Sequence, residues 1–250
     1  MWGRRLHFKA SLFLSILAVI VLLILISLGR WQIGRAEQKQ VILDLQSSRS
    51  QLAATPLSNL DFAANELRYL PVSLHGKVDA EQQILIDNQV RNGRAGYFVL
   101  TPIKLANNKA VLLNRGWLPI GANRANLPNV DISAKTISSL GRLDHFPTVG
   151  IQLQGADQLS DHWPAVTQLI NLHNVAERLG YEVLPYQVLM DTDQQHGYLR
   201  QWMMMKMGPE KHYGYAFQWF SLALAWLVIY FVVTIKQGVK RDEYINKEST

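Results

Sequence analysis

At 250 residues the chain has room for one or two domains, and with 48% apolar residues and no cysteine it excludes disulfide frameworks, iron–sulfur clusters, thiol catalysis and cysteine-type zinc sites. The formal charge of +6 comes mainly from the ends: residues 1–9 carry Arg4, Arg5 and Lys9 without an acid, residues 236–250 carry four cations against three acids, and residues 30–211 carry 18 against 16. So balanced a middle is no nucleic-acid footprint.

Between Lys9 and Arg30 lie twenty residues without a charge, rich in Leu and Ile. At about 1.5 Å per residue they cross a bilayer's hydrocarbon core as one helix. The stretch is too long for a signal-peptide core, and no small-x-small cleavage pattern follows it, so it reads as an uncleaved anchor. Its hydrophobicity begins too early for an Arg- and Ser-rich transit peptide, which points to a bacterial source. Helix-forming sequence continues from Leu28-Gly29-Arg30-Trp31-Gln32 through Leu52. That places Trp31 at the interface and Arg35 and Lys39 among headgroups. Arg30, Arg35 and Lys39 serve there either as membrane anchors or as partners of an anionic ligand group.

Past Pro56, a short helix is expected over Asn59 to Leu67. The period then changes. Tyr69 to Val78, Gln83 to Gln89, Gly96 to Pro102 and Ala110 to Pro119 read as an antiparallel meander, with hairpin chemistry at Asn92-Gly93 and a turn at Asn107-Asn108-Lys109. Lys135 to Leu143, Thr148 to Gln154, Thr167 to Leu172, Tyr186 to Met190 and Leu199 to Met207 are further candidate strands. Asn174 to Leu179 is a short helix stopped by Gly180. This pattern predicts an α+β domain, a small barrel or sandwich with one or two short helices.

The second charge-free stretch lies between Lys211 and Lys236. Pro209 and Glu210 suit its first turn. On a helix His212, Tyr215, Trp219, Leu222 and Trp226, spaced 3, 4, 3 and 4, share a face. A histidine at the mouth of a span is either a polar interface anchor or a functional group. Two spans bring both termini to one side, and the basic tails favour the cytoplasm. The expected layout is a tail over 1–9, spans over 10–29 and 212–235, a periplasmic α+β domain over 30–211 and a tail over 236–250.

The remaining histidines lack the i, i+4 spacing of a helical zinc site, and no nucleophile elbow, phosphate loop or dinucleotide fingerprint appears. Asp157, Asp161 and His162 read as solvated loop residues. Asp191 and Asp193 are too few for a calcium loop. Met203-Met204-Met205 with Met207 suggests copper by ligand type, but alternation in a strand favours packing.

Four motifs occur in order: Leu28-Gly29-x-Trp31-Gln32-x-x-Arg35-x-x-x-Lys39, Gly96-Tyr97-x-Val99-Leu100-Thr101-Pro102, Asn114-Arg115-Gly116-Trp117-x-Pro119, and His212-x-x-Tyr215-Ala216-x-Gln218-Trp219-Phe220-x-Leu222-Ala223. From about Leu28 to Tyr230 the chain resembles the surfeit locus protein 1 (Shy-type) family of cytochrome oxidase assembly factors. The resemblance implies a non-enzymatic, multi-pass protein of the bacterial inner membrane. Such a factor acts on oxidase subunit I alongside other assembly factors and membrane lipid, at the step where haem a enters. It also implies His212 as a haem-iron ligand, with Tyr215, Gln218, Trp219, Trp31 and Arg35 around the cofactor. The aromatic rings would form an apolar wall, and the outer basic groups would pair with propionates. A structural chaperone of an oxidase subunit without haem contact, and a membrane-anchored periplasmic enzyme, are the competing expectations.

Overall fold

The computed structural model describes residues 11–63, 66–121, 123–124, 126–150, 152–202 and 208–248, with side chains as far as 236. Its contacts divide the chain into a helical unit, residues 1–44 and 205–250, and a β-rich unit, residues 45–204.

The helical unit is built from α1 (Leu12–Ser50), whose last turns belong to the β-rich unit, and α3 (Pro209–Glu248). No proline interrupts either helix, and Pro209 sits in the first turn of α3, where its missing N–H costs nothing. Both helices are long and apolar enough to cross a membrane, and only 11% of the most apolar stretch of each is buried. Phe13, Leu23, Phe217 and Leu224 instead turn outward, 59–74% exposed. A soluble core helix hides such side chains; a membrane-associated one offers them to lipid.

The β-rich unit carries β1 (Thr55–Pro56), β2 (Pro71–Val78), β3 (Ile84–Ile86), β4 (Gly96–Lys104), β5 (Lys109–Pro119), β6 (Thr136–Asp144), β7 (Ala165–Thr167), α2 (Leu172–Leu179) and β8 (Glu182–Met190). The strand order is β1-β2-β6-β8-β5-β4-β3-β7, and β2 also pairs with β4 through Lys77↔Lys104 and Val78↔Ile103. Strands β2, β6, β8, β5 and β4 therefore close into a ring, the barrel alternative of the two expected. Val72, Leu74, Ile103, Val111, Leu113, Leu143, Val188 and Met190 fill one core. A second core forms where Val175 and Leu179 of α2 cover Ile84, Ile86, Leu100 and Leu112. With both faces covered, β5 is buried almost throughout, whereas β2 and β6 alternate buried and exposed residues.

The meander is only partly as expected. β3, β4 and β5 follow one another antiparallel, but β2 lies against β6 over Pro71–Lys77 rather than against β3. The far edge of β3 is taken by β7, running parallel. Thr148–Gln154 does not join the sheet; its described residues form loop. The expected helix over Asn59–Leu67 contracts to a 3-10 turn at Leu57–Asn59. Of the expected strand from Leu199, only a single bridge to Trp117 is present, and Met203, Met204, Met205 and Met207 lie outside the described residues.

Candidate functional site

Two charge-free helix stretches associate where small residues let them approach and where their few polar groups meet. Ser15 Oγ lies 2.7 Å from the Tyr230 hydroxyl, Trp226 Nε1 donates to the Ala18 carbonyl at 3.0 Å, and Gln32 Oε1 lies 2.8 Å from His212 Nδ1. As numbers rise on α1 they fall on α3, so the pair is antiparallel. Gly29 receives the Phe220 ring; a Cβ there would stand 2.7 Å from its tip. Among the buried and half-buried positions, Ala18, Leu22, Leu25, Gly29, Gln32 and Ala36 on α1 and His212, Ala216, Trp219, Ala223, Trp226 and Tyr230 on α3 follow alternating steps of four and three, the heptad spacing of a packed helix seam.

This seam divides the candidate residues. His212 and Trp219 lie on it, half-buried. Tyr215, 46% exposed, and Leu222, 53% exposed, lie off it although spacing puts them on the same broad face. Gln218 is exposed further round the helix. Trp31 is 57% exposed on α1, and Arg35 is exposed, its Nη1 donating to Gln38 Oε1 at 3.0 Å. The ring nitrogen Nε2 of His212 makes no hydrogen bond among the described residues. The arrangement thus offers one imidazole nitrogen, beside a helix surface of exposed aromatic rings, to a ligand arriving from outside the pair. Such a donor and such a surface fit a haem-type macrocycle.

The motifs of the barrel are structural. Trp117 is 6% exposed, and its Nε1 donates to the Gln89 carbonyl at 2.6 Å. Its indole lies over Gly96, where a Cβ would approach Trp117 Cε2 to 2.3 Å, so the first residue of β4 has to be glycine. Gly116 has φ 122°, in the region that favours glycine, and there the chain bridges to Leu199. Arg115 is 3% exposed, and among the described residues it has no carboxylate partner. Its guanidinium donates to the His196 carbonyl at 2.7 Å, to Gln83 Oε1 at 2.8 Å and to the Val130 carbonyl at 2.9 Å, and stacks 4.9 Å from the Tyr198 ring centre. Burial lowers its pKa, with Tyr198 opposing the shift. The side chain ties the 196–198 segment and the loop at Val130 to β5. Asp157, expected among solvated loop residues, instead accepts from Asn171 Nδ2 at 2.9 Å, beside the N-cap of α2.

Among the described residues no cluster of three or more His, Asp or Glu is placed to hold a metal ion. A cleft of about 900 Å³ is lined by Leu57, Phe62, Leu74, His75, Lys109 and Leu184 of the barrel unit and contains none of the candidate residues.

Residues 19–224 match the model of the SURF1 family. The chain belongs to that family. A SURF1-like protein of Rickettsia felis is 25% identical over 228 residues, covering 87% of this chain and 95% of its own length. Surfeit locus protein 1 of Arabidopsis thaliana is 31% identical over 105 residues, 37% of this chain and 30% of its own. The cytochrome oxidase assembly protein SHY1 of Saccharomyces cerevisiae is 24% identical over 172 residues, 66% of this chain and 43% of its own. In this SURF1 chain the two outer motifs build the helix seam and the two inner motifs hold the barrel. Gln32, Ala216 and Ala223 stand in the quoted motifs, but sequence reasoning gave them no role in a site. For the two alanines the visible signal was a small residue repeated at a spacing of seven.

Proposed function

We propose that this chain is a membrane-anchored, non-enzymatic assembly factor for cytochrome oxidase that binds or hands over haem a during maturation of subunit I. Membership of the SURF1 family, whose yeast member SHY1 is named an oxidase assembly protein, carries the oxidase reading. The half-buried imidazole of His212, with one nitrogen engaged by Gln32 and the other without a hydrogen bond among the described residues, supports the haem reading. When bound, haem supplies an iron that accepts an imidazole nitrogen. His212 would hold it, while Trp219, Tyr215 and Trp31 would offer apolar ring surface. Gln218 would contribute an amide, and Arg35 a charge for a propionate. Tyr215, Gln218, Trp31 and Arg35, being exposed, suit a cofactor that must leave again.

The layout that goes with this function has both termini in the cytoplasm of a bacterial cell and residues 30–211 in the periplasm. Alkaline phosphatase inserted in loop 121–129 should be active there and inactive when fused at either end; the reverse pattern refutes the layout.

The haem reading is tested by His212→Leu in cells that make haem a. The variant should stay folded and membrane-inserted, because an apolar residue suits a span. It should nevertheless lose or spectrally shift the Soret band that co-purifies with the wild type, and oxidase activity should fall. Equal haem content and identical spectra at equal protein level refute the reading. A colourless protein that still co-purifies with an oxidase subunit would favour a chaperone without haem contact.

A further inference from the structure

Gln32 stands half-buried on the α1 face of the seam between Gly29 and Ala36, two residues past Arg30, which ends the uncharged run of residues 10–29. Turned toward α3, its amide oxygen finds a partner on the other helix. The bond it makes is to His212, with Gln32 Oε1 2.8 Å from Nδ1. A carbonyl oxygen only accepts, so Nδ1 must donate and must carry the proton. Neutral imidazole has a single N–H, which leaves the lone pair on Nε2. Nε2 makes no hydrogen bond among the described residues. Gln32 therefore does to His212 what a second partner does to a metal-binding histidine: it selects the tautomer and fixes the ring plane.

We propose that Gln32 is a positioning residue that prepares His212 Nε2 to coordinate the iron of a haem-type macrocycle, an inference that rests on the haem reading above. The ligand and its tautomer come from different helices, so the iron-binding nitrogen exists in its competent form only while α1 and α3 are paired. A histidine on α3 alone would distribute its proton between both nitrogens and rotate freely. Helix pairing and iron binding are thereby linked: whatever separates the seam at Gln32 weakens the ligand.

The test uses the full-length protein in lipid nanodiscs. In the first arm the protein is made without haem and its histidines are labelled with nitrogen-15; the His212 signals are assigned by their loss in His212→Leu. Wild type should show Nδ1 protonated and Nε2 bare, whereas Gln32→Leu should show a mixture of tautomers. A proton on Nε2 in the wild type, or an unchanged pattern in Gln32→Leu, overturns the proposal. In the second arm the variants are isolated from cells that make haem a. Gln32→Leu should retain roughly tenfold less haem. Gln32→Glu supplies a stronger acceptor at the same place; it should restore haem content and displace the iron–imidazole stretching band relative to wild type. Restoration by Glu separates positioning from simple helix packing, since Leu packs in an apolar seam at least as well. Full haem retention in Gln32→Leu, or an unshifted band in Gln32→Glu, refutes the positioning role. Loss of the haem reading itself is distinguishable: the tautomer pattern of the first arm would hold, but His212→Leu would keep its haem.

Discussion

Trp117→Ala tests whether the Asn114-Arg115-Gly116-Trp117 motif is a structural element of the barrel. The indole is 6% exposed and covers Gly96, so the substitution removes nearly all of a large buried surface. An aromatic side chain of this size buries roughly 200 Å², which at about 25 cal/mol per Å² corresponds to ~5 kcal/mol. Partial collapse of the site and residual burial in the unfolded chain reduce this to roughly 3–5 kcal/mol. The Gln89 carbonyl also loses its donor at 2.6 Å. For a unit the size of residues 45–204, about 2–4 °C accompanies each kcal/mol. Calorimetry of the full-length chain in mild detergent should therefore show the barrel transition falling by roughly 6–20 °C. Trp117→Phe, which keeps a ring but no N–H, should cost only about 1–2 kcal/mol more than a shape-matched swap, a drop of roughly 3–6 °C. An alanine variant that melts within about 3 °C of wild type would show that the indole is not holding the barrel, and the burial argument would be wrong.

Two further outcomes follow from the geometry. Gly29→Leu drives a side chain into the Phe220 ring, which leaves no room beyond 2.7 Å even for a Cβ. Overpacking of about 1–3 kcal/mol should reduce helix pairing several-fold, read as cross-linking of Ser15→Cys with Tyr230→Cys by a short bismaleimide in this cysteine-free chain; an undiminished yield refutes the seam. Tyr181 is pushed above the ordinary phenol range by burial, reinforced by Asp79, whose Oδ2 accepts its hydroxyl at 2.9 Å and pairs with Lys104 at 2.7 Å. The folded form holds this proton more tightly than the unfolded chain. The stabilisation is thus complete below a pH of about 10 and is lost as pH rises above it. Melting temperature should fall more steeply between about pH 9 and 11 in wild type than in Tyr181→Phe, and equal slopes would contradict the assignment.

The features legible in the sequence were local ones. Two charge-free runs gave the long helices, and Asn92-Gly93 gave the tight turn, realised with φ 48° and 75° and with Arg91 and Arg94 exchanging both backbone bonds at 2.9 Å. Gly180 stops α2, though the helix starts earlier than expected, with Asn171 as its cap. Pairing at long range was not legible. Period-two alternation marks β2 as a strand but carries no information that its neighbour is β6, and it marks Thr148–Gln154 equally well although its described residues form loop. The candidate site divides the same way. His212 was visible from its place at a helix mouth; Gln32, 180 positions away, was not, because periodicity identifies a face without naming what the face meets. The tilt of the seam away from Tyr215 and Leu222 has a similar cause. Ala216 and Ala223 admit closer approach than the larger residues beside them, and close approach decides which part of a broad apolar face becomes the interface.

The position of β8 has a consequence for synthesis. It is the last strand along the chain among the described residues, yet it lies inside the ring between β5 and β6. Until Met190 has emerged, β5 and β6 each present an open edge, and no partial barrel can shut behind them. This delay leaves two hydrogen-bonding edges uncovered for the time it takes to deliver the stretch from β6 to β8, the interval in which pairing with another chain competes with closure. A stall after β6 therefore strands a sticky half-sheet, whereas a stall after β8 leaves a finished domain waiting only for its second helix.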